Sequence, residues 1–214
     1  IPAYLRALKT EMAQRSNGES VSSIYFGGGT PSLLSDGQVG DLLATIHSLF
    51  VVNQAAEITI EANPGTVDEA YLTAVRGLGV NRLSLGVQSL NDGELSLLGR
   101  IHTAAEASHA VKCARSAGFD NLNLDLIYGL PGQTLFNWRS SVEAAIALGP
   151  EHLSLYGLTL EEGTPLWGTI EENALPAIDP DLSAEQYELA EDLLAASGYR
   201  HYEISNWAKE GYQC

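Results

Sequence analysis

Basic residues are scarce in this chain. Lysine and arginine number 11 in 214 residues, against 27 aspartates and glutamates, and the formal charge is -16. Binding to a nucleic-acid backbone needs a concentrated basic stripe, which this composition does not supply. The same deficit argues against charge-driven docking on an anionic membrane surface. Cysteine is equally sparse. Cys113 and Cys214 make no disulfide framework, so a reducing cytoplasm is the expected compartment. No apolar run approaches the ~20 residues of a spanning helix. The N-terminal Ile1-Pro2-Ala3-Tyr4 lacks the features of a secretory signal and has no initiator Met. What the chain does have is apolar material, 45 % of its residues in 22.9 kDa. A compact fold of this mass hides about 70 % of the surface of the extended chain, so a sizeable core is within reach.

Five short runs read as buried parallel strands: Ser23–Phe26, Glu57–Ile60, Arg82–Val87, Asn121–Ile127 and His152–Tyr156. Helical stretches with start signals separate them. Ser35 precedes 36–50, Asp68 precedes 69–77, Asn91 opens the short stretch to Leu98, and Thr134 precedes 136–148. Thr103 with Glu106, and Ser183 with Gln186, have the spacing of capping boxes. Gly79, Gly118, Gly149 and Gly198 stand where helices should close. Strand starts lie 25 to 39 residues apart, the period of a βα unit. Consecutive units without a hairpin signal predict either a doubly wound sheet or part of a βα barrel. The segment Leu175–Pro180 reads as a loop excursion, and Arg200–Ile204 as one further strand.

In both architectures chemistry gathers at the C-terminal strand ends, and there the sequence is unusual. Gly27-Gly28-Gly29-Thr30-Pro31-Ser32 follows the first strand. Its glycines let backbone amides approach a ligand, which suits a carboxylate or an amino acid moiety. The alternative is a tight turn, and the lysine of a P-loop is missing. Glu61 ends the second strand, where it accepts hydrogen bonds from an ammonium or hydroxyl or simply caps its loop. Gln88 ends the apolar third strand and needs partners, a ligand among the candidates. Arg100 pairs with either a ligand carboxylate or a protein one. Asp125 sits between Leu124 and Leu126, where an unbonded carboxylate would be costly. It is the strongest single candidate, with the satisfaction of loop amides as its structural alternative. His102 is expected to be packed or capping, since no second ligand stands at metal spacing. Cys113, inside a helical pattern, is expected to be a small buried hydrophobe. The fifth strand end receives little weight. Together these polar strand ends predict one ring around a small polar ligand with amine, carboxylate and hydroxyl groups.

Several segments, in order, resemble the radical S-adenosylmethionine superfamily, in the branch that joins oxygen-independent coproporphyrinogen III oxidases and haem chaperones of the HemW type. They are Tyr25–Ser32, Glu61-Ala62-Asn63-Pro64, Gly86-Val87-Gln88-Ser89, Asp125–Gly132 and Tyr202–Lys209. The last segment and the pair Gly132-Gln133 resemble the chaperones rather than the oxidases. The resemblance spans nearly the whole chain and implies a partial (βα)6 barrel of the TIM type. It also implies S-adenosylmethionine as cofactor. Gly28, Gly29 and Thr30 would hold its methionyl amine, and Glu61, Gln88, Arg100 and Asp125 its amino acid and ribose parts.

The family further implies a 4Fe–4S cluster held by a cysteine loop, which is expected upstream of Ile1, and haem, whose motif is expected after Cys214. On this reading residues 1–214 are a radical S-adenosylmethionine core that lacks its first strand, its cluster loop and a C-terminal domain. The strand Ser23–Phe26 is then expected to be an unpaired edge, and the isolated chain to be marginal or oligomeric. The function implied is a cytoplasmic haem chaperone that passes haem to an acceptor protein. The alternative is radical oxidative decarboxylation of coproporphyrinogen III in porphyrin biosynthesis. A more distant reading is an ordinary βα enzyme using Glu61 and Asp125 as acid and base. In every case the isolated chain is expected to be inactive as a radical enzyme.

Overall fold

The computed structural model describes residues 1–214. Five parallel strands run β1 (Ser20–Phe26), β2 (Val51–Ala62), β3 (Arg82–Gln88), β4 (Leu122–Tyr128) and β5 (His152–Gly157). Their order in the sheet follows their order in the chain. A doubly wound sheet requires a reversal of strand order, so the sequential order decides for a partial barrel. The helices are α1 (Pro2–Arg15), α2 (Asp36–Leu49), α3 (Glu69–Gly77), α4 (Asp92–Leu97), α5 (Ala104–Ser116), α6 (Leu135–Ala147), α7 (Pro165–Glu171) and α8 (Pro180–Ala196). A hairpin of β6 (Arg200–Glu203) and β7 (Asn206–Ala208) completes a seven-stranded sheet in the order β1-β2-β3-β4-β5-β7-β6.

The core lies between the convex face of the sheet and the helices. Ile60, Leu83, Leu85, Leu124 and Leu153, none exposed, pack there with Leu72, Val75, Trp138 and Val142 from the helices. Each strand supplies every second residue to this layer, as the pleat requires. Trp138 donates its indole N–H to the Gln186 carbonyl at 2.7 Å, joining α6 to α8 without leaving a buried donor unpaired.

Local signals placed most helix starts correctly. Ser35 with Gln38 and Thr103 with Glu106 form complete capping boxes at α2 and α5. Gly79, Gly118, Gly149 and Gly198 all take positive φ just beyond helices. Helix α8 differs from expectation. It begins at Pro180, with Asp179 Oδ1 accepting from the Asp181 and Leu182 amides. Ser183 therefore lies inside the helix and donates to the Asp179 carbonyl, and buried Gln186 accepts from the Gly129 amide instead of closing a box. Proline at the first helical position, with an Asx cap before it, outcompetes a serine one turn later.

Three elements differ from the sequence reading more strongly. Helix α1 was not expected, because only Leu5 of it is buried and no apolar stripe marks it. It leans on α2 through the exposed Lys9–Asp41 pair. Helix α7 was also not foreseen, and it buries no residue. The strand read as Arg200–Ile204 stops at Glu203 and turns back. It pairs antiparallel with β7, and β7, not β6, lies beside β5. The turn carries no Asn-Gly or Asp-Gly signal. The Glu203 carboxylate organises it by accepting from the Ser205 amide at 3.1 Å and from Asn206 Nδ2 at 2.7 Å. Strand β1 is the opposite edge and pairs only with β2. No helix is long and apolar enough to cross a membrane.

Candidate functional site

The five parallel strands bring their C-terminal ends to one rim, where a cavity of about 330 Å³ opens. Gly28, Gly29 and Thr30 enter it from the loop after β1, Glu61 from β2, Gln88 from β3, Arg100 from the segment after α4 and Asp125 from β4. The structure thus gathers all seven candidate residues around a single space. It adds Asn63, Ser84, Gly86 and Tyr156, which sequence reasoning did not select. Ser84 and Gly86 alternate with Gln88 along β3, so the period-two pattern was their available signal. Tyr156 stands two residues after Ser154 on a strand end that was given little weight. Only two of the thirteen lining residues are hydrophobic, which points to a polar ligand rather than an apolar one.

Local geometry explains the glycines. A Cβ on Gly27 would stand 2.6 Å from the Tyr25 ring, and one on Gly86 would stand 2.9 Å from Gln88 Nε2. The first would displace Tyr25, whose hydroxyl holds the cavity residue Glu61, and the second would displace Gln88 itself. Gly28 has φ 111°, and its amide donates to Glu61 Oε2 at 3.1 Å. The other Glu61 oxygen accepts from the Tyr25 hydroxyl at 2.8 Å. Glu61 is therefore both loop cap and cavity carboxylate, so the two sequence readings for it are compatible. Burial, followed by this contact, raises the Tyr25 hydroxyl above its ordinary range. Asn63 Nδ2 donates to Thr30 Oγ1 at 3.4 Å, tying the β1 loop to the end of β2.

Gln88 takes the left-handed conformation, with φ 66°. A non-glycine residue there costs on the order of 1 kcal/mol, a cost that is usually met at functional positions. Below it, the buried Glu94 carboxylate accepts from Ser89 Oγ at 2.5 Å and from Gln133 Nε2 at 3.1 Å. This contact links the loops that follow β3 and β4. His102 is packed as expected, its Nε2 lying 3.1 Å from the Val87 carbonyl.

Asp125 accepts from Asn123 Nδ2 at 2.7 Å and from Ser84 Oγ at 3.3 Å. Burial pushes its carboxyl up to about 6; the bond from Asn123 opposes this, and the nearby Glu61 charge adds to it. Burial lowers the Arg100 guanidinium, and the Asp125 charge works in the opposite direction. With both acids ionised at neutral pH, the two carboxylates and the one guanidinium leave the cavity with a net negative charge.

The cavity fits S-adenosylmethionine in its donor set. Carboxylates suit an ammonium and ribose hydroxyls, the guanidinium suits a carboxylate, and open space at Gly29 leaves room for backbone approach. The chain does not fit a 4Fe–4S cluster, which is held by thiolates. Cys113 is buried on α5 and Cys214 is exposed, and no group of three or more His, Cys, Asp or Glu side chains is arranged to hold a metal.

The family model of the Radical SAM superfamily matches residues 5–145. The chain belongs to this superfamily. Among relatives of this radical SAM chain, the haem chaperone HemW of Escherichia coli is 44 % identical over 201 residues, covering 93 % of the chain and 52 % of the relative. HemW of a Synechocystis species is 39 % identical over 212 residues, 99 % of the chain and 52 % of the relative. Among solved structures, the coproporphyrinogen III oxidase HemN of Escherichia coli superposes with a TM-score of 0.88 at 31 % identity, covering 98 % of the chain and 49 % of that protein. The chain spans about half the length of these relatives, and over that part it is similar to both the HemW and the HemN proteins.

Proposed function

We propose that this chain is the S-adenosylmethionine-binding barrel of a haem chaperone. The observation that carries the reading is a difference in likeness within one organism. Identity to the Escherichia coli chaperone is 44 %, and to the Escherichia coli oxidase 31 %. The segment Tyr202–Lys209, which forms the terminal hairpin, resembles the chaperones as well. In the cavity, Arg100 would pair with the ligand carboxylate, Gly28, Gly29 and Thr30 would hold the amine, and Glu61, Gln88 and Asp125 would complete the amino acid and ribose contacts. S-adenosylmethionine carries one net positive charge, from sulfonium and ammonium against one carboxylate, and the net negative charge of the cavity complements it. When bound, it supplies an alkylsulfonium that is open to reductive cleavage. The cluster thiols and the haem site of the intact protein belong, on this reading, to segments outside these 214 residues. Haem is the cargo, and an acceptor protein its destination.

A second reading, decarboxylation of coproporphyrinogen III, is favoured by the superposition with the oxidase. One experiment separates the two. The intact protein, reconstituted anaerobically with iron and sulfide, is titrated with haem by absorbance and then assayed for porphyrinogen consumption with S-adenosylmethionine and a reductant. Stoichiometric haem binding without porphyrinogen loss is the expected result. Porphyrinogen loss would make this an oxidase barrel, and failure to bind haem would remove the chaperone reading.

A further inference from the structure

Beneath the cavity, the concave face of the sheet is buried and polar. Glu61, Ser84, Asn123 and His152 are register partners on β2, β3, β4 and β5, so they form one row across four strands. Asn123 and His152 are 3 % and 1 % exposed, burial at which each polar atom needs a partner. They find their partners in one line. Tyr202 Oη, from β6, lies 2.7 Å from His152 Nε2. His152 Nδ1 lies 2.6 Å from Asn123 Oδ1. Asn123 Nδ2 lies 2.7 Å from Asp125 Oδ1 in the cavity wall.

The direction of this line follows from its cavity end. An ionised Asp125 accepts only, so the Asn123 amide must present its NH₂ to it. Asn123 Oδ1 then faces His152, whose Nδ1 must carry the proton. His152 Nε2 is left as an acceptor, and the Tyr202 hydroxyl donates to it. Ser154 Oγ, 3.2 Å from Asn123 Oδ1, donates in the same sense. We propose that Tyr202, His152 and Asn123 are positioning residues that hold Asp125 as an oriented carboxylate, and that the terminal hairpin thereby governs the charge of the ligand cavity. The inference deepens the S-adenosylmethionine reading only in what the cavity takes up; the line itself is independent of any ligand.

Other charged and titratable groups face the two ends. Glu61, Arg100, Tyr25 and Tyr156 surround Asp125. Arg82, Tyr202 and Cys214 surround His152. Burial, helped by the Arg82 charge, lowers the His152 imidazole to about 3, so it remains neutral wherever Asp125 is ionised. A cationic His152 would donate from both nitrogens and force the Tyr202 hydroxyl to turn away. The low value is therefore consistent with a fixed direction.

The test begins with the unaltered intact protein, labelled with ¹⁵N-histidine; the His152→Gln variant assigns its signal. At pH 7 His152 is expected as the Nδ1–H tautomer with an unprotonated Nε2. The Nε2–H tautomer would overturn the proposal. Tyr202→Phe keeps the ring and removes the donor. Asp125, followed through its ¹³C carboxyl signal without ligand, should then titrate higher by about half a pH unit, since its oriented donor is weakened. An unchanged midpoint in this variant would also overturn it, because a purely structural Tyr202 alters thermal stability and not the titration. S-adenosylmethionine affinity is measured separately on the same proteins. If none binds at any pH, the cofactor assignment is lost, while the tautomer and the titration still decide the line.

Discussion

The two faces of the sheet are equally buried over much of their extent and chemically opposite. On β3, Leu83, Leu85 and Val87 face the helices, while Arg82, Ser84 and Gln88 face the concave side, and all six are buried. On β4 the same alternation separates Leu122, Leu124 and Leu126 from Asn123 and Asp125. The convex face is stabilised by the removal of apolar area from water, which is indifferent to orientation. On the concave face Ser84, Asn123, Asp125 and His152 satisfy one another in fixed directions, while the buried Arg82 Nε has no hydrogen-bond partner. The first kind of layer makes a fold, and the second makes a site. Substitutions should therefore separate stability from binding according to which face they strike.

The largest effect is expected on the convex face. Leu124→Ala should destabilise the protein by about 3 kcal/mol through lost burial and a cavity. Chemical denaturation measures this, and a loss below about 1 kcal/mol would mean that the core is not as close-packed as described. Next comes the concave face. Asp125→Asn keeps the shape and removes the charge, so S-adenosylmethionine affinity should fall on the order of 10- to 100-fold by calorimetry, the range of a lost charge-assisted hydrogen bond. Its stability at pH 7 should not fall. Equal affinity in the variant would remove Asp125 from the site.

The pH dependence sharpens the same contrast. Asp125 titrates near 6 in the folded protein against 3.8 as its ordinary value. A raised value means that its stabilising contribution is complete below about pH 4 and is lost as the pH rises through 6. Relative to Asp125→Asn, the unaltered protein should thus lose roughly 2 kcal/mol between pH 4 and 7, read from paired denaturation curves. A difference that stays flat with pH would show that Asp125 is not perturbed. The smallest effect concerns Gln88. Gln88→Gly relieves the left-handed backbone, which is worth up to about 1 kcal/mol, while weakening ligand affinity. If this variant were clearly less stable and bound normally, the side chain would be structural.

Most of the scaffold could be read without a structure, because its signals are local. Strands β3, β4 and β5 are short apolar runs bounded by glycine or proline, and caps such as Ser35 and Thr103 act within four residues of themselves. Helices α1 and α7 were not legible, since neither buries an apolar stripe. The start of α8 was misread because two caps competed and only their local context chose between them. The candidate residues Gly28, Glu61, Gln88 and Asp125 were legible for a topological reason, whereas Arg100, on the segment after α4, was brought to them by the tertiary structure. Residues at the C-terminal ends of consecutive parallel strands must converge, whatever the details of packing.

The sequence alone determined the βα succession and the polar ring at the strand ends, both of which depend on spacing along the chain, while the superfamily was implied by the resemblance of its motifs. The strand pattern by itself left a barrel and a doubly wound sheet open; the family resemblance implied the partial barrel, and the sequential strand order of the tertiary structure bears it out. The tertiary structure alone reversed the terminal strand into a hairpin, through one carboxylate in the turn. It also brought Tyr202 to His152, fifty positions away in the chain, and so joined the hairpin to Asp125. Hydrogen bonds across strands depend on register, and register is fixed only when the whole sheet has formed.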